Sequence, residues 1–164
     1  MEPIAHMRPV QNSEPPKYDI QTLKAHSENS GKYAAEALRC INLDEVGLFC
    51  GYIHDIGKAT EKFFKYIQPD NTLRRGEVNH TFAAVRYIFE MSADIDEVVR
   101  ELLAYAVGAH HGQFDAVNSD HKNGFEHRLT KEGIDYGEAR KSFNEYCFSD
   151  AELNDRFERA AEQL

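Results

Sequence analysis

Along most of the chain, apolar residues recur at the three-and-four spacing of a helix buried on one side. Ala34, Ala37, Leu38 and Ile41 form the first such stripe. Val46, Phe49, Cys50 and Ile53 form the second, with Asp44 placed to cap its start and Gly57 placed to stop it as a C′ glycine. Thr60 is positioned to cap a short helix carrying Phe63, Phe64 and Ile67, and residues 68–78 have loop composition. Asn79 then caps an expected helix with Phe82, Val85, Ile88 and Phe89 on one side. Asp94 and Glu97 resemble a capping box opening a longer helix through Ile95, Val98, Val99, Leu102, Leu103, Ala106 and Val107, which should end near Gly112. Residues 112–135 are polar and without a clear period. Ala151, Leu153, Phe157, Ala160, Ala161 and Leu164 form a last stripe.

The first 19 residues differ. Pro3, Pro9, Pro15 and Pro16 remove backbone donors and bias their predecessors away from helix, so this stretch reads as an extended arm. No alternating strand pattern, internal repeat or low-complexity tract stands out. The expectation is an all-α bundle over residues 20–164 preceded by an arm over residues 1–19.

Composition narrows the class. With 164 residues, 41% of them hydrophobic, the chain suits one globular domain. No run reaches the roughly 18–20 apolar residues of a spanning helix, and the N-terminus lacks a basic start followed by an apolar run. Three cysteines without a CxxC pair suit a reducing compartment. A soluble cytoplasmic protein without a membrane partner is therefore expected. The net charge of −9 argues against a passive nucleic-acid coat, which would carry a broad basic face. It leaves room for an enzyme that meets phosphate through bound metal.

Candidate chemistry lies in the histidines. His26, the pair His54-Asp55, His80, and the pair His110-His111 each fall on or at the end of an expected helix. Imidazole and carboxylate are natural ligands for divalent transition metals. Adjacent helical residues project about 100° apart, so each pair can serve two neighbouring ions or embrace one. His110 alone, continuing an apolar stripe, would be read as a core histidine with a hydrogen-bond partner. His54 alone would be read as a histidine stabilised by a helix C-terminus. Six such groups on four helices are harder to explain without a shared charge, and a metal site is expected. His6 in the arm and His121 and His127 in the polar loop are read as surface residues.

These residues resemble a known pattern. His26, HDIGK at 54–58, NHT at 79–81 and AHHG at 109–112 are similar to the HD-domain metal-dependent phosphohydrolase superfamily. Within it, the AH at 5–6, VNHTFAA and YAVGAHHG most resemble the CRISPR-associated HD nuclease of type I systems. The resemblance spans about residues 4–120. It implies an HD-type helical bundle with its metal site in the helix core and a nuclease that cuts single-stranded DNA by metal-activated water attack. One or two divalent ions (manganese, iron, nickel or cobalt) are implied as cofactor. His26, His54 and Asp55 would hold one ion, and Asp55 would bridge to a second held by His80, His110 and His111. Lys58 matches a lysine beside the metals and joins Asp55 as a catalytic candidate. The implied partners are a superfamily 2 helicase, in the same or a separate chain, and an RNA-guided surveillance complex.

One departure is visible. The family carries a further aspartate downstream of the HH pair, and no matching stretch exists here; Asp150 and Asp155 are distant substitutes. The expectation is a domain truncated at its C-terminal end. For DNA contact, the segment from Lys58 to Arg75 sets five cations (Lys58, Lys62, Lys65, Arg74 and Arg75) against two carboxylates, with Phe63, Phe64 and Tyr66 interleaved. That mix suits a single-strand groove, although Phe63 and Phe64 as core with solvated lysines is the plainer reading. Two other functions compete. One is hydrolysis of small nucleotides, as in HD-GYP cyclic-dinucleotide phosphodiesterases, against which GQFDAV after the histidine pair counts. The other is a catalytically incomplete docking module, against which the presence of all six ligand positions counts.

Overall fold

The computed structural model describes residues 1–74, 77–78, 80–112, 124–130 and 135–164. Asn79, Arg75 and His121 lie outside the described residues. A two-stranded antiparallel hairpin, β1 (Ile4–Pro9) and β2 (Tyr18–Thr22), leads, among the described residues, into eight helices: α1 (Leu23–Leu38), α2 (Asp44–Ile53), α3 (Glu61–Tyr66), α4 (Thr81–Glu90), α5 (Glu97–Gly108), α6 (Phe125–Thr130), α7 (Tyr136–Tyr146) and α8 (Asp150–Glu162). With 62% helix against 8% strand among the described residues, the chain is an all-α domain. No helix among the described residues is long and apolar enough to cross a membrane.

The arm is extended, as its prolines dictate, but it is not a free tail. β1 pairs with β2 from Ile4 opposite Thr22 to Pro9 opposite Tyr18. The Leu23 N–H donates to the Pro3 carbonyl at 2.8 Å, and Ala5 is buried in the core. Strand pairing here was invisible to periodicity, because six residues ending in proline carry too little alternation.

Helices α1 and α2 form an antiparallel pair joined by a 3-10 turn over Arg39–Ile41. Asn42 closes the turn in the left-handed region at φ 58°, a conformation asparagine tolerates. Their backbones touch through small residues. An ideal Cβ on Gly51 would sit 2.4 Å from the Gly31 Cα, and one on Gly47 would sit 2.6 Å from the Ala34 carbonyl. α2 packs in turn on α8, where Phe49 stacks on Phe157 with ring centres 5.0 Å apart. Phe82, Tyr87 and Ile88 of α4 and Leu103 of α5 extend the same core.

Helix ends show where local signals suffice. Thr60 accepts from the Phe63 N–H as expected, and Ser149 with Glu152 makes a reciprocal capping box at α8. Elsewhere the expected caps are replaced. Asp44 is the first residue of α2; the Gln163 side chain, arriving from the end of α8, accepts from the Glu45 and Val46 N–H groups at 2.9 and 3.2 Å. Asp96, not Asp94, caps α5, by accepting from Val98. That helix ends at Gly108 and passes into a turn that reaches Gly112. Its expected stripe is narrower than drawn, since Val98 and Leu102 are more than half exposed and Ala106 is exposed. Arg100 faces inward and donates to the Ile88, Met91 and Ala93 carbonyls, tying the end of α4 to α5. Within the polar stretch, residues 125–130 are helical. α7 had no counterpart in the periodicity, because only Ala139 and Phe143 of its eleven residues are buried.

The glycine contact between α1 and α2 generates a stability prediction. Gly51→Ala should lower unfolding free energy by about 1–3 kcal/mol, the usual cost of overpacking, despite its better helix propensity. Urea unfolding followed by circular dichroism checks it; a gain in stability would mean that the helices can separate without penalty.

Candidate metal centre

Packing α1 against α2 brings His26, near the start of one helix, to His54 at the end of the other. The chain then tightens into a 3-10 turn over Ile56–Lys58, with Asp55 before it. Gly57 in this turn is not a helix stop. An added Cβ would lie 2.1 Å from the His80 carbonyl oxygen, so the glycine lets the turn press against the start of α4. His80 therefore arrives beside Asp55. His110 and His111 come from the turn that follows α5. Four helix ends thus converge on one carboxylate.

Asp55 is 2% exposed, and its two oxygens have different neighbours. Oδ2 lies 3.0 Å from His26 Nε2, 3.1 Å from His54 Nε2 and 2.8 Å from Lys58 Nζ. Oδ1 lies 3.5 Å from His110 Nε2 and 3.9 Å from His80 Nε2, and among the described residues it has no partner within hydrogen-bond geometry. His80 and His111 face each other, Nε2 to Nε2, at 2.9 Å. The donors form two groups that share Asp55: one of His26, His54 and Asp55, the other of Asp55, His80, His110 and His111. Within each group the ligand atoms lie within 4.8 Å of one another.

The tautomers show what the cluster lacks. His54 Nδ1 donates to the Gly51 carbonyl at 2.9 Å, and His110 Nδ1 donates to the Val107 carbonyl at 2.6 Å. In the neutral imidazoles both Nε2 atoms are therefore left as bare acceptors, and both are aimed at carboxylate oxygens. Acceptor facing acceptor in a buried place is unfavourable unless a positive charge lies between them. The chemistry of the donor set, imidazoles with one carboxylate, fits a divalent transition metal.

Charge states agree. Burial by itself would raise the Asp55 carboxyl, but protons on the ring nitrogens of His110, His26 and His54 that face it outweigh burial and hold the group well below the usual carboxylate range; a metal ion on those nitrogens would supply the same positive charge in place of the protons. Burial pushes His80 down to about 4, against the pull of Asp55, and lowers His111 as well, with His110 adding to the effect. Ionised carboxylate and neutral imidazole are the ligand forms.

Lys58 is not the exposed charge that commonly follows a helix. It is 6% exposed, paired with Asp55, and 5.5 Å from the ring centre of Phe63. Phe63 itself is buried and meets His80 edge-on at 5.3 Å, so it is the floor of the site and not a stacking platform. Lys62, Lys65 and Arg74 are exposed, and Lys65 pairs with Glu61 at 2.7 Å. Asp150 does not substitute for the further aspartate: it accepts from the Tyr87 hydroxyl and pairs with Arg140. Asp155 pairs with Arg159. Neither joins a ligand group, and among the described residues the His26 group has three donors against four in the other. The three cysteines are free and outside both groups.

One residue read as surface belongs at the site. His6 packs edge-on against His26 with ring centres 4.8 Å apart. Burial lowers its pKa, with Lys58 and His26 adding to the effect. The AH dipeptide was the only trace of it in the sequence. His127 is exposed, as expected.

Comparison with known proteins agrees with this geometry. No curated protein and no solved structure matches the chain. The family described as Cas3, HD domain, matches it over residues 20–163, so the match continues through α7 and α8, well past the residues that carry the visible motifs. A helical domain with two ligand groups sharing the aspartate of an HD pair, matched over nearly its whole length, belongs to the Cas3 HD-domain family, the metal-dependent nuclease domain of type I CRISPR systems.

Proposed function

We propose that this chain is a metal-dependent nuclease that hydrolyses phosphodiester bonds in single-stranded DNA, acting beside a superfamily 2 helicase and an RNA-guided surveillance complex in the cytoplasm. The observation that carries the reading is the division of Asp55, with one oxygen turned to His26 and His54 and the other to His80 and His110. His26, His54 and Asp55 would hold one divalent ion, and Asp55, His80, His110 and His111 a second. Such ions supply Lewis-acid charge to the phosphodiester oxygens and lower the pKa of a water.

The protein's own groups do the rest. The carbonyls of Gly51 and Val107 fix the tautomers of His54 and His110 and so aim their lone pairs. Lys58 pairs with Asp55 and orients it, and its ammonium would offer positive charge to a phosphate bound at the metals. Phe63 beneath His80 excludes water from that side. Lys62, Lys65 and Arg74 are exposed and supply positive charge, to which Arg75 adds by sequence alone, and their contribution to single-strand binding is salt-sensitive. Manganese, iron, nickel and cobalt all suit the donor set, and the intracellular supply selects among them.

Degradation of circular single-stranded DNA with added manganese tests the reading. The wild-type chain should nick and degrade the circle, while Asp55→Ala should lose cleavage and, by leaving Lys58 buried without its partner, some thermal stability, with the helical circular dichroism signal retained. Wild-type cleavage by that variant would sink the mechanism. Turnover of cyclic dinucleotides without cleavage of the long strand would move the substrate to small nucleotides.

Donor count predicts an order of occupancy. The four-donor group should fill first, so His111→Ala should lower bound metal by about one ion per chain at limiting manganese, and His26→Ala should leave that ion in place. Elemental analysis of the dialysed proteins decides; equal losses in the two variants would mean a single coupled site.

A further inference from the structure

The N-terminal hairpin reaches the site through a register shift. On β1, Ile4 is opposite Thr22 and His6 is opposite Gln21, so Ala5 is one extra residue in the ladder. In a regular strand Ala5 and His6 would point to opposite faces. Here Ala5 is buried in the core while the His6 ring lies against His26, so both face the body of the domain. Bulges of this kind re-aim side chains and recur beside functional sites.

On its other side His6 borders a polar cavity of about 500 Å³ that runs between the hairpin and the outer face of α1. Arg8 and Asp19, cross-strand partners on the hairpin, line it together with Gln21 and Asn29. Asn29 follows His26 by three residues and so lies one helical turn further along α1. The cavity therefore begins at His6, whose ring touches the candidate ligand His26, and leads away from it. Its lining mixes a guanidinium with amides and a carboxylate, donors together with acceptors. A bare anion would not call for Asp19, whereas a nucleotide presents both an anionic phosphate and a base edge with donors and acceptors. Residues 1–19 also precede the segment that matches the family.

We infer that this cavity is a nucleotide subsite of the substrate strand, in which Arg8 and His6 hold the phosphate next to the scissile one and Gln21, Asn29 and Asp19 meet the base. The inference rests on the nuclease reading above and specifies where the strand leaves the metal centre. A neutral His6 imidazole donates through one ring nitrogen, and Arg8 offers a planar pair of donors suited to phosphate.

The test uses the full chain and a fluorescent 20-nucleotide dT strand, with binding followed by anisotropy in EDTA over a salt series and cleavage followed in manganese. Arg8→Ala should raise Kd about 5- to 10-fold and reduce the slope of log K against log salt by about 0.7, the value for one phosphate contact on a single strand. Bound manganese and the melting temperature should be unchanged. His6→Phe keeps a ring against His26 and removes the donor; it should weaken binding while leaving metal content intact. Arg159→Ala, on the far end of α8 and paired with Asp155, is the control for general loss of charge. Wild-type affinity and salt slope in Arg8→Ala would overturn the subsite while leaving the nuclease reading in place. A wild-type chain that neither binds the strand in EDTA nor cleaves it in manganese would overturn both.

Discussion

Asp55 is a carboxylate removed from water and ringed by imidazoles, and the arrangement holds together only through positive charge. Lys58 supplies one cation directly. The remaining acceptors, Asp55 Oδ1 and the Nε2 atoms of His54 and His110, face one another across the cluster. Desolvating an anion costs several kcal/mol unless partners compensate. A domain that places one carboxylate at the meeting of four helix ends therefore carries a strong constraint, and a divalent cation satisfies it. The site is a polar island at the edge of an otherwise apolar core, where Ile53 and Ile56 flank His54 and Asp55 in sequence and are fully buried.

Much of the backbone serves to bring those ends together. Glycines let α1 and α2 meet backbone to backbone, which sets His26 beside His54. Gly57 lets the turn after α2 touch the start of α4, which sets His80 beside Asp55. Arg100 ties α4 to α5 and so holds the turn carrying His110 and His111 in relation to His80. Each contact is small-residue packing or a hydrogen bond to a carbonyl, and none is itself catalytic. They convert residues scattered along the sequence into ligand groups a few ångströms wide.

The unequal donor sets of the two groups bear on chemistry. A site with three donors, one of them shared, leaves more open coordination for substrate and binds its ion less firmly than a site with four. The hairpin adds to the three-donor side: His6 packs on His26, and a polar cavity continues from there. In this chain the less complete metal group is thus the one with the more elaborate protein surroundings.

Most helix positions, the capping role of Thr60 and the six candidate ligand residues were legible in the residues, because they depend on neighbours within a turn or on side-chain chemistry alone. The first stripe was not: Ala37 and Ile41 are exposed, and α1 buries Leu23, Ser27 and Gly31 instead. What failed was nonlocal. Gln163 caps α2 across more than a hundred residues, where Asp44 looked sufficient. Gly57 answers to a backbone that arrives with α4, and α7 is held by two buried residues that no stripe announces. His6 reads as a surface residue in sequence and is drawn to His26 by tertiary contact, whereas Lys58, placed beside the metals by the family resemblance, is buried against Asp55. The amino-acid order by itself determined which elements form and which chemistry the chain possesses, since torsional preference and ligand basicity belong to the residue. Only the tertiary structure decided which oxygen of Asp55 faces which histidines and which polar groups lose their water, because burial and charge pairing belong to contacts between distant segments.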